Sequence, residues 1–208
     1  MKLLVCTSLL LCSMVLLVEC YSTGAPEGTC NTLAPNPIKH EAGLQTIQSP
    51  YVLDIETFTD GKGGYHYEPG KTYRLTLLGV DQHPFKGFFV EARAMTANGK
   101  TAAAGKFSVI PGDSVSRLSS CSVPTDGITH KSAVEKVAVT FEWTAPKPGV
   151  GSIPFEFSVV QVKKIYWAHQ MTALIKQKPS AISASVQSLS VDKMTLLQAI
   201  IAKLLTRN

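Results

Sequence analysis

From residue 51 onward the chain alternates between apolar and polar positions. Tyr51, Leu53, Ile55 and Thr57 share one face of an extended segment. Tyr73, Leu75 and Leu77 alternate with Thr72, Arg74 and Thr76, and Phe89, Glu91, Arg93 and Met95 alternate with Phe88, Val90, Ala92 and Ala94. The clearest half-buried pattern sets Val137, Val139, Phe141 and Trp143 against Lys136, Ala138, Thr140 and Glu142. A last long one sets Phe155, Phe157 and Val159 against Glu156, Ser158 and Val160. A period of two is the repeat of a strand, whose successive side chains point to opposite faces. Turn chemistry separates the segments: residues 59–64 are Gly-rich, Asn98-Gly99 follows the third segment, and Pro146, Pro148, Gly149 and Gly151 follow the fourth. Short alternating strands between such turns predict an all-β sandwich or barrel, and one polar face per strand favours antiparallel sheets.

The two ends break this rhythm. Residues 22–50 carry Pro26, Pro35, Pro37 and Pro50 with Gly24, Gly28 and Gly43, which predicts an irregular arm without helix. Residues 178–190 are Ser-rich and read as a linker. Beyond it Met194, Leu197, Ile201 and Leu204 fall at helical spacing, behind Ser190 or Asp192 as a cap. This predicts a C-terminal amphipathic helix whose apolar face needs the sandwich, another chain or a membrane surface. At the other end, Met1-Lys2 precedes an apolar run over residues 3–18, and Val18-Glu19-Cys20 suits cleavage before Tyr21. That is the layout of a secretory signal peptide. The expected organisation is a signal peptide at 1–20, one domain at 21–177, and a Ser-rich linker with a C-terminal helix at 178–208. No later stretch is long and apolar enough for a transmembrane span.

Composition narrows the function. Of 208 residues 45% are hydrophobic and only 17% charged, too apolar for a disordered chain. The net charge of +5 suits an acidic surface or a polyanionic glycan, but the basic residues form no concentrated stripe of the kind nucleic-acid binders show. After cleavage two cysteines remain, Cys30 and Cys121. In an oxidising compartment they most simply bridge each other; two free thiols or a bridge to another chain are the alternatives. His40, His66, His83, His130 and His169 are scattered without the close spacing of a metal site, and no acid, base and nucleophile constellation is visible. We therefore expect no catalytic residue, no metal and no cofactor. Residues 64–72, Gly-Tyr-His-Tyr-Glu-Pro-Gly-Lys-Thr, imitate a phosphate loop one residue too long, entering a strand where that loop needs a helix. Lys131, Lys163 and Lys164 are the candidate ligand patch; Lys131 and Lys136 flank the His130 region, and Lys176 and Lys178 follow the aromatic pair Tyr166-Trp167, as cations beside aromatics expected to be exposed.

Several ordered motifs then resemble the reelin N-terminal (reeler) domain. They are Gly24-Ala25-Pro26 with Cys30, and Pro35 to His40; Ser49-Pro50-Tyr51; and Tyr67-Glu68-Pro69-Gly70-Lys71-Thr72-Tyr73. Further on come residues 85–93, Phe-Lys-Gly-Phe-Phe-Val-Glu-Ala-Arg; Cys121 with Thr129-His130-Lys131-Ser132; and Phe141-Glu142-Trp143-Thr144-Ala145-Pro146. The resemblance covers roughly residues 21–167 and is strongest to the small secreted invertebrate members associated with defense. It implies an immunoglobulin- or fibronectin-like antiparallel β-sandwich and pairing of Cys30 with Cys121. It also implies a secreted, extracellular, non-enzymatic role in innate immunity, binding lipopolysaccharide or other glycans of the bacterial surface. The alternative is a matrix or adhesion protein that binds heparin-like glycans, or protein partners through the C-terminal helix.

Overall fold

The computed structural model describes residues 22–56, 58–59, 64–95 and 101–179, with Lys193, Thr195, Leu196 and Gln198 as separate positions in the tail. The proposed signal peptide lies outside the described residues, as does nearly all of the Ser-rich linker.

Among the described residues a helical turn, α1 (Thr29–Thr32), precedes thirteen strands. These are β1 (Tyr51–Ile55), β2 (Phe58–Thr59), β3 (Tyr65–Tyr67), β4 (Thr72–Gly79), β5 (Gly87–Met95), β6 (Thr101–Ala103) and β7 (Lys106–Ser108). They continue as β8 (Ser116–Ser119), β9 (Gly127–His130), β10 (Ala138–Thr144), β11 (Phe155–Val162), β12 (Ile165–Met171) and β13 (Lys176–Gln177). One sheet runs β1-β4-β10-β7 and the other β12-β11-β5-β9-β8, with β6 beside β5. Every pairing within these two sheets is antiparallel. A small third sheet, β13-β3-β2, contains a parallel pair, β13 on β3.

The alternation decides how the sheets meet. Tyr73, Leu75 and Leu77 of β4 lie opposite Trp143, Phe141 and Val139 of β10, so one face of the first sheet is continuously apolar. It packs on Phe88, Val90, Phe155, Phe157 and Val159 of the second. The Phe88 and Phe141 rings stack across the interface with centroids 6.2 Å apart, and Trp143 meets Phe155 edge-on at 5.0 Å. Each such side chain, fully buried, contributes about 1.5–3 kcal/mol. The Trp143 indole N–H is not left unpaired: it donates to Ala104 O at 2.9 Å. On the outer face Thr76 pairs with Thr140 and Thr72 with Thr144, hydroxyl to hydroxyl. Residues 64–72 form no phosphate loop: Thr72 opens β4, and the Tyr73 hydroxyl accepts the Glu68 N–H.

Three expectations need correction. Strand β5 is not half-buried: Phe88, Val90 and Ala92 face the sheet interface, while Phe89 and Glu91 are covered on the other side by the N-terminal arm. Tyr166 and Trp167 are buried, so this aromatic pair is not the exposed neighbour expected for Lys176 and Lys178; the Trp167 indole donates to Ile47 O of the same arm at 3.1 Å. Finally, no long helix occurs among the described residues, so a C-terminal amphipathic helix is not supported as an element. The described tail positions, Lys193, Thr195, Leu196 and Gln198, have helical backbone, and the remainder of that segment lies outside the described residues. No helix among the described residues is long and apolar enough to cross a membrane.

Candidate functional site

Residues 22–47 cross the outer face of the six-stranded sheet and are tied to it at intervals. At the start, Arg117 of β8 donates through Nε to Thr23 O at 2.6 Å and through Nη2 to Ala25 O at 2.8 Å. Gly24 lies between these carbonyls at φ +121°, and a Cβ there would overlap both the Arg117 guanidinium and the His130 carbonyl oxygen. The buried Thr129 hydroxyl accepts the Ala25 N–H at 3.0 Å and donates to Phe88 O at 2.6 Å, so one side chain joins arm, β9 and β5.

The next tie is covalent. Cys30 and Cys121, 91 positions apart in sequence, form a disulfide with Cα atoms 5.4 Å apart. Beside it Leu33 and Phe89 make a small second core, and the Ser158 hydroxyl of β11 donates to Leu33 O. Further along, His40 Nδ1–H donates to Lys163 O at 2.8 Å, and its ring meets Tyr166 edge-on. The Tyr166 N–H donates to Gly43 O at 3.0 Å, in contact so close that a Cβ on Gly43 would enter the Lys164 carbonyl.

Between these ties the arm stands off the sheet and leaves a small cleft of about 100 Å³. Phe89, Val160 and Val162 give it an apolar floor, with Pro26 and Pro35 on the arm side. Lys86, Lys163, His40 and His130 supply its polar edge. Lys86 pairs with Glu135 at 3.6 Å. Glu41 takes both neighbouring cations, Lys163 at 2.9 Å and Lys164 at 2.5 Å. The Lys164 and Lys163 ammoniums hold its carboxyl at about 2. An apolar slot edged by cations suits an amphiphile: hydrocarbon on the floor, an anionic group at the edge.

A different buried cation closes the far loop. Lys136, expected on a solvent face, is only 8% exposed, and its ammonium donates to Lys86 O, Ser132 O and Val134 O at 2.7, 3.1 and 2.7 Å. Those three carbonyls replace its water, which is why a lysine can be buried there.

Comparison with known proteins fits this construction. The family model described as "Reeler domain" matches residues 28–182. The chain belongs to the reeler-domain family. The reeler chain is 34% identical over 159 residues to the Drosophila melanogaster protein "Defense protein l(2)34Fc", covering 74% of this chain and 87% of that one. It is 30% identical to "Putative defense protein 3" of Antheraea mylitta, over 74% of this chain and 85% of the relative. Among solved structures, the reelin-N domain of F-spondin superposes with a TM-score of 0.52 at 21% identity, covering 69% of this chain and 97% of that one. That likeness carries the sandwich fold.

Within this reeler domain the lysines of the expected patch are arranged unevenly. Lys163 and Lys164 sit together in the β11–β12 turn, both on Glu41, and Lys163 edges the cleft. Lys131 is exposed, next to the cleft residue His130, with its N–H donating to Val115 O at 2.6 Å. Lys86, His40 and His130 went unrecognised as cleft residues. The sequence offered only Thr129-His130 and the Pro35-to-His40 stretch as signals, because nothing local shows that an arm crosses a sheet.

Proposed function

We propose that this reeler protein is a secreted, non-enzymatic recognition protein of the defense type, and that its cleft takes an anionic glycolipid of the bacterial surface such as lipopolysaccharide. The observation that carries this is the apolar slot under the arm with Lys86, Lys163 and His40 at its edge. Hydrocarbon entering the slot leaves water, which contributes about 25 cal/mol per Å² of apolar surface. An acidic headgroup then competes with Glu41 for the two turn lysines. The names of the insect relatives support the defense role.

The test is binding of the mature protein to lipopolysaccharide, with Val160→Trp as a variant that fills the slot. Wild-type binding that weakens with salt and is lost in Val160→Trp, with the thermal unfolding midpoint unchanged, is the expected result. Binding indifferent to a filled slot would overturn the cleft as the site. Retention on heparin alone, equal in both proteins, would favour the matrix reading.

A further inference from the structure

A second buried polar cluster lies where the arm is bridged to the sheet. Glu91 of β5 is fully buried on the arm-covered face. Its Oε2 accepts from Arg93 Nε at 2.8 Å, but Oε1 has no hydrogen-bond partner. A bare carboxylate oxygen in an interior costs free energy that an apolar side chain of the same size would not. Glu91 also faces the bridge: a carboxylate oxygen and the sulfurs of Cys30 and Cys121 all lie within 4.8 Å of one another. The surroundings hold this set in place. Arg93 Nη2 reaches Cys30 O at 3.4 Å, which ties the carboxylate's partner to the arm. The fully buried Asp126 accepts the N–H groups of Cys121, Ser122 and Val123 at 2.6, 2.7 and 2.9 Å, fixing the backbone that carries the second sulfur.

We infer that Cys30, Cys121 and Glu91 form a site for a thiophilic divalent cation, zinc by preference, whenever the disulfide is reduced. A dithiol reductant supplies two electrons and two protons; the S–S bond breaks into two thiols as the dithiol closes to its own disulfide. The cation then binds both sulfurs as thiolates and Glu91 through Oε1, releasing the two thiol protons to solvent, with a water in the fourth position. Zinc takes thiolate at about 2.3 Å and carboxylate oxygen at about 2.0–2.2 Å, so three donor atoms already within one small cluster need only side-chain rotation. Charge supports the assignment. Two thiolates and one carboxylate are balanced by the dication and the Arg93 guanidinium, so the buried assembly is neutral. Disulfide and metal are thus two alternative fastenings of the same arm. The inference is independent of what the cleft binds.

The experiment uses the mature chain reduced with a phosphine and titrated with Co²⁺, whose thiolate charge-transfer band reports sulfur ligation. One Co²⁺ per chain, displaced by Zn²⁺, is expected for the reduced protein and none for the oxidised. Glu91→Gln keeps the side chain's size and should weaken binding at least about tenfold. Should that variant fail to fold, Glu91→Asp, which withdraws the carboxylate by one methylene, must weaken it too. The inference is overturned if reduced wild type shows no thiolate–cobalt band, or if a folded Glu91 variant binds as tightly as wild type. It is equally overturned if reduction destroys the sheet signature and the cation does not restore it.

Discussion

His40 donates its Nδ1–H to the carbonyl oxygen of Lys163 across 2.8 Å, joining residues 123 positions apart. This bond closes the arm onto the β11–β12 turn and brings Glu41 to Lys163 and Lys164. The edge of the cleft therefore depends on it.

Replacing His40 with Ala removes this bond and the edge contact with Tyr166 while leaving both sheets intact. A loss of about 1–2 kcal/mol is expected in urea unfolding. Hydrogen exchange should accelerate selectively at the arm amides of Gly43 and Gln45, which bond to His40 O and Tyr166 O. Uniform acceleration across the sandwich would contradict a local role.

Glu41→Gln releases the Lys163 ammonium at the cleft edge, and Lys164 beside it in the turn, without altering the floor. Binding of an anionic glycolipid should strengthen, and its salt dependence should steepen. The native contact also has an acid limit. With its carboxyl held at about 2, below the ordinary 4.5, the small contribution of Glu41 is present above 4.5 and lost as pH falls toward 2. A titration of the Lys163 and Lys164 ammonium signals by NMR would follow that loss.

Cys30→Ser with Cys121→Ser opens a loop of 91 positions. The chain-entropy relation gives about 4–5 kcal/mol for a closure of that size. The denaturation midpoint should fall accordingly, with a larger slope from a more expanded unfolded state. An unchanged midpoint would show that the Thr129, Arg117 and His40 ties suffice.

Tyr51 sets an alkaline limit. It is buried with its hydroxyl on Pro84 O at 2.8 Å, and burial pushes its pKa up to about 12 from 10. The folded state keeps this proton after the unfolded chain has lost it, so the contribution is complete below pH 10 and disappears as pH rises toward 12. Tyr51→Phe should cost about 1 kcal/mol at neutral pH and make unfolding less sensitive to pH across that interval. Stability measured from pH 9 upward for both proteins checks this.

The strand faces of β4 and β10 were readable because alternation is a local property: Leu75 and Leu77, Phe141 and Trp143 had to point the same way once extended. The same rule misjudged β5. Its outward residues, Phe89 and Glu91, alternate as a half-exposed strand would, and only the arm, bridged to residue 121, covers them. Lys136 misled for a related reason: a lysine reads as solvent-facing until three carbonyls converge on it.

The amino-acid order by itself determined a mostly-β domain and the inward face of its main strands, and it offered Cys30 and Cys121 as a pair, since backbone pleating and residue chemistry act over a few positions. Only the tertiary structure decided that residues 22–47 roof the second sheet, that Tyr166 and Trp167 are interior, and that a cleft opens between His40 and His130. Those features rest on single bonds between distant residues, Ala25 to Thr129, Leu33 to Ser158 and His40 to Lys163, and such contacts leave no period in a sequence.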